Sequence, residues 1–319
     1  MSPPRTGICV AICTYLRASS LLRLLDSLRA QSRHPDQLII VDASPDDATE
    51  RAVREYAPLA EVATCVEYAR VTGPLAGLTR QRNHALRLVT TDLVAFFDDD
   101  IICEPTCLEA MEAVHRGSVG DVVGVGAYIV NQSAHPWLLW RVRRRLGIVP
   151  ALRPGRYYRS GLSIPWTFLP PTDATVDGDW LPGGATMWRT AAARDTWFNE
   201  TFDGYGSSED LEFSLRITAR GRLLLAGTAR VQHLHDGAGR PDAHELGYTH
   251  LRNAYRVHRT CLPDRRRRDA LWFVYAHGMD TIVQAANLLR PRVRGRTARY
   301  LGGRLRFFRE LMGAALRSA

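Results

Sequence analysis

Three consecutive aspartates, Asp98, Asp99 and Asp100, close an apolar run from Leu93 to Phe97. Adjacent carboxylates repel one another, and at the end of a strand a divalent cation relieves that repulsion more cheaply than anything else within reach. In extended chain Asp98 and Asp100 share one face, so both can reach one metal and phosphate assembly, while Asp99 turns toward a sugar or the backbone. A solvated acidic turn is the plainer alternative, but it leaves the buried-type run before it unexplained. His233 and His235 sit at alternate positions ending a second strand-like run, before Asp236 and Gly237. A neutral imidazole is a competent ligand for manganese, so His233 is the candidate to complete the metal sphere, beside a structural alternative. His235 suits a structural or substrate-contacting role.

A third acidic cluster runs from Ser208 through Glu209, Asp210, Leu211 and Glu212 to Phe213. At helical spacing Glu209 and Glu212 lie on one face and Asp210 points elsewhere, in a first turn whose unpaired amides favour a carboxylate. Alone, this is equally a cap; Gly204, Tyr205 and Gly206 add a tight approach to it. Gly183 and Gly184 permit close approach of backbone to a ligand, as would a plain tight turn. Arg80, Arg82 and Asn83 at a helix start are within reach of phosphates, with a surface role equally open to Arg80.

The elements that must position these groups follow from periodicity. Ile8–Cys13, Leu38–Val41, Ala63–Val66 and Leu93–Phe97 are apolar runs that predict strands, and Leu21, Leu25 and Leu28 recur at helical spacing between the first two. Ser44, Pro45 and Asp47 predict a helix start with a cap, a first-turn proline and a third-position acid. Leu78–Leu88 predicts a helix, Val122–Val130 a strand, Ala185–Arg189 a strand, Ser208–Thr218 a helix, and Arg222–Ala226 and Ala229–His233 two further strands. This alternation argues for a mostly parallel sheet covered by helices, whose ligands bind at the carboxyl edge where Asp42 and the three aspartates fall.

Composition bounds the rest. At 319 residues, 45% hydrophobic and 24% charged, the chain can bury a sizeable core, and disorder, collagen and coiled coil are excluded. Its 42 basic residues are all arginine, a bias that lowers the weight of any single one. Residues 251–319 hold 16 arginines against 4 acids, with no nucleic-acid recognition motif, so an anionic membrane surface or simple solvation is the expected partner of that tail, and no nucleic acid. The most apolar stretch, residues 271–289, contains His277, Asp280 and Gln284 and suits at most an interface. The short polar start and the six cysteines, read as reduced, predict a cytoplasmic protein, with the inner face of the plasma membrane as a peripheral location.

Together these segments resemble the family-2 glycosyltransferases, inverting bacterial enzymes of the GT-A fold with nucleotide-sugar donors. Seven pieces stand in the family's order: Thr14-Tyr15 with Arg17, the 39–47 segment IIVDASPDD, Arg82-Asn83, the aspartates 98–100, GGATMWR at 183–189, SEDLEFSLR at 208–216 and VQH at 231–233. The resemblance implies a Rossmann-like GT-A domain over 1–240, with a donor half to about 130, an inserted segment 131–179 and an acceptor half from 180, followed by a basic helical extension 241–319. It implies that Thr14, Tyr15, Arg17, Asp42, Arg82, Asp98, Asp99 and Gly184 contact the nucleotide sugar, Asp42 through the base and Arg82 near the base or diphosphate. Asp98, Asp100 and His233 would hold Mn2+ or Mg2+, Asp210 would be the catalytic base, and Trp180, Gly183, Glu209 and His235 would lie on the acceptor side. Leu16 departs from the pattern, since many members carry asparagine there.

The implied reaction is metal-dependent inverting transfer from a UDP- or dTDP-sugar to a hydroxyl of a glycan, glycolipid or glycosylated natural product. A sugar nucleotidyltransferase is the rival enzyme, but residues 14–20 lack a glycine-rich triphosphate loop. Retaining transfer on a similar fold is separated by the product anomer, and a non-catalytic nucleotide-sugar-binding protein by donor turnover. Oligomeric state is open, with a homo-oligomer one outcome.

Overall fold

The computed structural model describes residues 7–118, 120–132, 137–202, 207–235, 242–262, 264 and 266–317. In chain order the elements are β1 (Ile8–Thr14), α1 (Ala18–Arg29), β2 (Gln37–Asp42), α2 (Ala48–Glu55), α3 (Leu59–Val62), β3 (Cys65–Arg70), α4 (Leu78–Leu88), β4 (Leu93–Asp98), β5 (Ile101–Cys103), α5 (Cys107–Gly117) and β6 (Val122–Ile129). They continue with α6 (Trp137–Arg145), β7 (Thr175–Gly178), β8 (Ala185–Arg189), α7 (Thr190–Thr196), α8 (Glu209–Ile217), β9 (Arg222–His233), α9 (Ala243–Thr260), α10 (Arg267–Ala285) and α11 (Arg294–Arg317). The chain forms two compact units, one from Met1–Ser133 with Leu169–Gly239, the other from Ala134–Phe168 with Arg240–Ala319.

The first unit is built on a nine-stranded sheet in the order β3-β2-β1-β4-β8-β6-β9-β5, with β7 also on β9. From β3 to β4 all pairs are parallel; β8 runs antiparallel to β4 and β6, and β9 runs parallel to β6. β1, β2 and β4 are unbroken apolar runs because both of their faces are covered, and their side chains form the core with Leu21, Leu24, Leu25 and Leu28 of α1. The expected α/β class is therefore what the chain adopts.

Three local expectations change. Ser44 does not cap a helix: α2 begins at Ala48, and the buried Ser44 hydroxyl accepts from the Leu16 amide at 2.8 Å instead. The third strand lies further on than its apolar residues suggest, because β3 is at the end of the sheet path and its side chains are only partly covered. The two strands expected near Gly227 are one, β9, which absorbs a register shift against β6 between Ala127 and Tyr128.

In the second unit, the segment after β6 packs with the C-terminal helices, an association no local pattern announced. Trp140, Ile148, Val149, Ile164 and Phe168 bury against Ala276 of α10. α9 and α11 approach so closely that a Cβ on Gly303 would collide with the His244 carbonyl, and one on Gly247 with that of Tyr300. The Asp242 side chain caps α9 by accepting from the amides of His244 and Glu245 at 2.7 and 3.3 Å.

Candidate active site

Strand order assembles the site before any side chain is considered. β1 lies between β2 and β4 with Thr14 beside Asp42 and Cys13 beside Asp98, so the carboxyl ends of three parallel strands are level. The antiparallel β8 brings Gly184 to β4, where its carbonyl accepts from the Asp98 amide at 2.9 Å. β5 pairs with β9 so that Ile101 faces His233, and the Leu234 amide donates to the Asp100 carbonyl at 2.9 Å.

The three aspartates then divide as alternation predicts. Asp98, Asp100 and His233 each offer a ligand atom, and these atoms lie within 4.8 Å of one another, with His233 Nε2 3.0 Å from Asp100 Oδ1. Two carboxylates and one imidazole suit a hard or borderline divalent ion such as Mg2+ or Mn2+. A Cβ on Gly184 would stand 3.0 Å from Asp98 Oδ2 and 3.7 Å from the His233 ring, so glycine leaves these donors their room. The residues present fit a metal. Asn131 braces His233 from both sides, accepting from its amide at 2.9 Å and donating to its carbonyl at 3.0 Å. The His235 ring lies over that of His233 with centroids 4.0 Å apart, on a residue with φ of +54°.

Asp99 turns the other way. It accepts from the Thr14 hydroxyl at 2.7 Å and from Arg17 at 3.0 Å, and Arg17 also lies 3.7 Å from Asp100. Burial pushes its carboxyl up to about 6, against the opposing pull of Thr14 and Arg17. Tyr15 is exposed at the same edge. Leu16, the departure from the family pattern, has φ of +56°, a conformation that asparagine tolerates far better than leucine.

Arg82 is the hub between the candidate metal ligand Asp98 and the start of α8. It donates to Asp98 at 3.3 Å, to Glu209 at 3.2 Å and to the Gly183 carbonyl at 3.2 Å, and its guanidinium centre lies 5.3 Å from the Phe198 ring centroid. Glu209 is buried, and desolvation followed by the repulsion of Asp210 raises its carboxyl to about 8 despite Arg82. Asp210 is half-exposed, accepting from the amides of Gly183 at 3.0 Å and Leu211 at 2.7 Å. Desolvation raises its pKa while those two amides and Arg82 oppose the shift. Ser208, just before it, adopts φ of +70°.

Three of the expected contacts are engaged by partners within the protein. Asp42 is fully buried, one oxygen accepting from the Tyr68 hydroxyl at 2.6 Å and the other from the Ser44 amide at 2.8 Å, so it fixes the loop after β2 and presents no surface to a base. Arg82 at 2% exposure pairs with carboxylates, and the buried Glu209 is one of its counter-ions. Trp180 is half-buried just before Leu181, whose amide is held by Ser214. Gly204, Tyr205, Gly206, Asp236 and Gly237 lie outside the described residues. Sequence reasoning missed Asn131, Tyr68 and Gln81; the Gln81 amide donates to the carbonyls of Thr14 at 3.1 Å and Val41 at 2.9 Å, tying β1 to β2. Gln81, on the buried side of α4 at helical spacing from Ala85, was the available signal.

The model of the family described as glycosyl transferase family 2 matches residues 9–169, just over half of the chain. The chain belongs to glycosyl transferase family 2. Validoxylamine A glucosyltransferase of Streptomyces hygroscopicus subsp. limoneus is 27% identical over 232 residues, covering 66% of this chain and 48% of that protein. Glucosyl-dolichyl phosphate glucuronosyltransferase of Haloferax volcanii is 28% identical over 126 residues, 39% of this chain and 38% of that one. The chain thus spans about half the length, or less, of these relatives. Among solved structures, GalNAc-T7 with UDP, GalNAc and Mn2+ superposes with a TM-score of 0.63 at 14% identity, over 99% of this chain and 58% of that one. Residues 1–349 of TarS from S. aureus give 0.52 at 16% identity, over 96% and 92%. These neighbours share the GT-A fold that the resemblance implied.

Proposed function

We propose that this family-2 chain catalyses metal-dependent, inverting transfer of a sugar from a UDP- or dTDP-sugar to a hydroxyl of a glycan, glycolipid or glycosylated natural product. One observation carries the reading: the dipeptide Gly183-Gly184 touches Asp210 through the first residue and Asp98 through the second. A candidate base and a candidate metal trio thus flank one small backbone patch that leaves room for reacting groups. The names of the relatives, a glucosyltransferase and a glucuronosyltransferase, and the UDP and Mn2+ in a structural neighbour support the donor class.

Asp98, Asp100 and His233 would hold the ion, which when bound supplies positive charge at the leaving diphosphate. Arg17 adds a fixed charge beside them. Asp210 takes the acceptor hydroxyl proton while the oxygen bonds to the anomeric carbon and the bond to diphosphate breaks, its electron pair leaving with the phosphate. Two backbone amides orient the carboxylate of Asp210 and oppose the desolvation that raises its pKa, whereas Glu209 is buried and paired with Arg82. A base that activates the acceptor directly, with no covalent sugar-enzyme step, gives a single displacement, hence inversion.

Asp210→Asn should keep donor affinity and lose transfer, read by product formation with a panel of sugar acceptors and by the anomeric configuration of the product. Near-wild-type turnover in this variant, or a retained anomer, contradicts the assignment.

A further inference from the structure

Among the described residues, fifteen large apolar side chains are exposed, and seven of them fall between residues 271 and 293. Leu271, Val274, Tyr275, Ile282 and Leu289 recur at intervals of three, four or seven, which places them along one stripe of α10 and the turn that follows it. Leu271 is 74% exposed, Ile282 64% and Leu289 81%, so the stripe is a true surface feature rather than a partly covered core. Gly278 lies on the same stripe with open space around it. The opposite side of α10 carries Phe273, Ala276, His277 and Asp280, all buried, so the helix is apolar on both faces and its outer face is unaccounted for by folding.

Charge identifies the occupant. Exposed Arg266, Arg267 and Arg268 precede the stripe, and exposed Arg290, Arg292 and Arg294 follow it. The exposed Arg144 and Arg145 of α6 end beside it, since the Leu146 carbonyl accepts from the Tyr275 hydroxyl at 2.9 Å and Gly147 lies next to Trp272. Two copies of this face brought together would oppose like charges at both ends, which disfavours self-association. No helix is long and apolar enough to cross a membrane among the described residues, so the face can lie only along a surface.

We propose that the outer face of α10 docks on an anionic lipid surface, with Leu271, Val274, Ile282 and Leu289 among the acyl chains and the flanking arginines on the headgroups. This inference rests on the second unit alone and stands or falls independently of the transferase reading.

Flotation of the full chain at low ionic strength with phosphatidylglycerol vesicles and with phosphatidylcholine vesicles tests it. The protein rises with the former and not the latter, and added salt weakens the association. The double change Leu271→Asp with Ile282→Asp lowers the partition coefficient about tenfold or more, with an unchanged circular dichroism spectrum because both side chains are exposed. Each of Arg267→Ala and Arg268→Ala lowers it about fivefold. No flotation with phosphatidylglycerol, equal flotation with both lipids, or binding indifferent to the apolar substitutions overturns the proposal. So does a dimer in sedimentation velocity that the same substitutions dissolve, which would assign the face to a second copy.

Discussion

Arginine and carboxylate meet in the interior of both units, but in opposite proportion. In the first, Arg82 is one buried cation shared by Asp98 and Glu209, with Asp210 close by. In the second, Asp280 is one buried anion held by Arg143 at 2.7 Å and Arg304 at 3.0 Å, with Gln284 donating to it as well. An excess of carboxylates has two outlets, a bound cation or a proton, and Glu209, raised to about 8, is already close to taking the second. An excess of arginines cannot shed a proton, because guanidinium does not release it in a protein, and the anion that Arg143 and Arg304 hold is the buried Asp280 itself. The first arrangement can therefore stay open and chemically useful; the second must be closed and is structural.

Substitutions that unbalance each group sharpen the contrast. The largest effect is expected from Asp210→Asn, which removes the proposed base and should lower turnover by about 10²–10⁴-fold, measured in steady-state transfer with donor affinity unchanged. Next, Asp280→Ala strands two buried guanidinium groups and should cost about 3–5 kcal/mol, read as a lost or early transition of the second unit in calorimetry. Arg82→Leu should cost less, about 1–3 kcal/mol, because Glu209 can protonate; equal losses for the two variants would break the comparison.

Acid provides a smaller, graded test. Burial lowers His277 to about 3 and His250 to about 4 in the second unit, and His115 to about 4 in the first. The folded protein refuses a proton that the unfolded chain accepts near pH 6.5, so this stability is complete above that pH and is lost as pH falls toward the folded values. Each histidine contributes a slope of up to about 1.4 kcal/mol per pH unit in that window. The second unit, with two such groups, should melt first as pH drops from 6.5 to 4.5, and the double variant His250→Gln, His277→Gln should flatten that dependence. The smallest expected change is a gain: Leu16→Asn relieves the left-handed backbone and should raise stability by about 1 kcal/mol, seen in the melting temperature.

The grouping of Asp98 with Asp100 was legible because alternation along a strand fixes which of three neighbouring aspartates face together, and Asp99 did turn from the pair toward Thr14 and Arg17. β1, β2 and β4 were legible for the same kind of reason, as apolar runs long enough to be buried on both faces. The internal partners of Asp42, Arg82 and Glu209 were not legible because they come from other elements: Asp42 meets Tyr68 across 26 residues, and Arg82 meets Glu209 across 127. Likewise nothing local in the segment after β6 says that Ile148 and Ile164 will pack against α10. Spacing reports what shares a face; which side chains fill the space opposite is decided by strand order and tertiary packing.

The central claim, a metal-dependent nucleotide-sugar site at Asp98, Asp100 and His233, is tested most directly by isothermal titration. Wild-type protein and Asp100→Ala would be titrated with UDP, dTDP and their sugar conjugates, each with Mn2+ and with chelator. The account predicts that one nucleotide class binds with Mn2+, and that this binding is lost both in chelator and in Asp100→Ala. Nucleotide binding of equal strength in all of these conditions would contradict it.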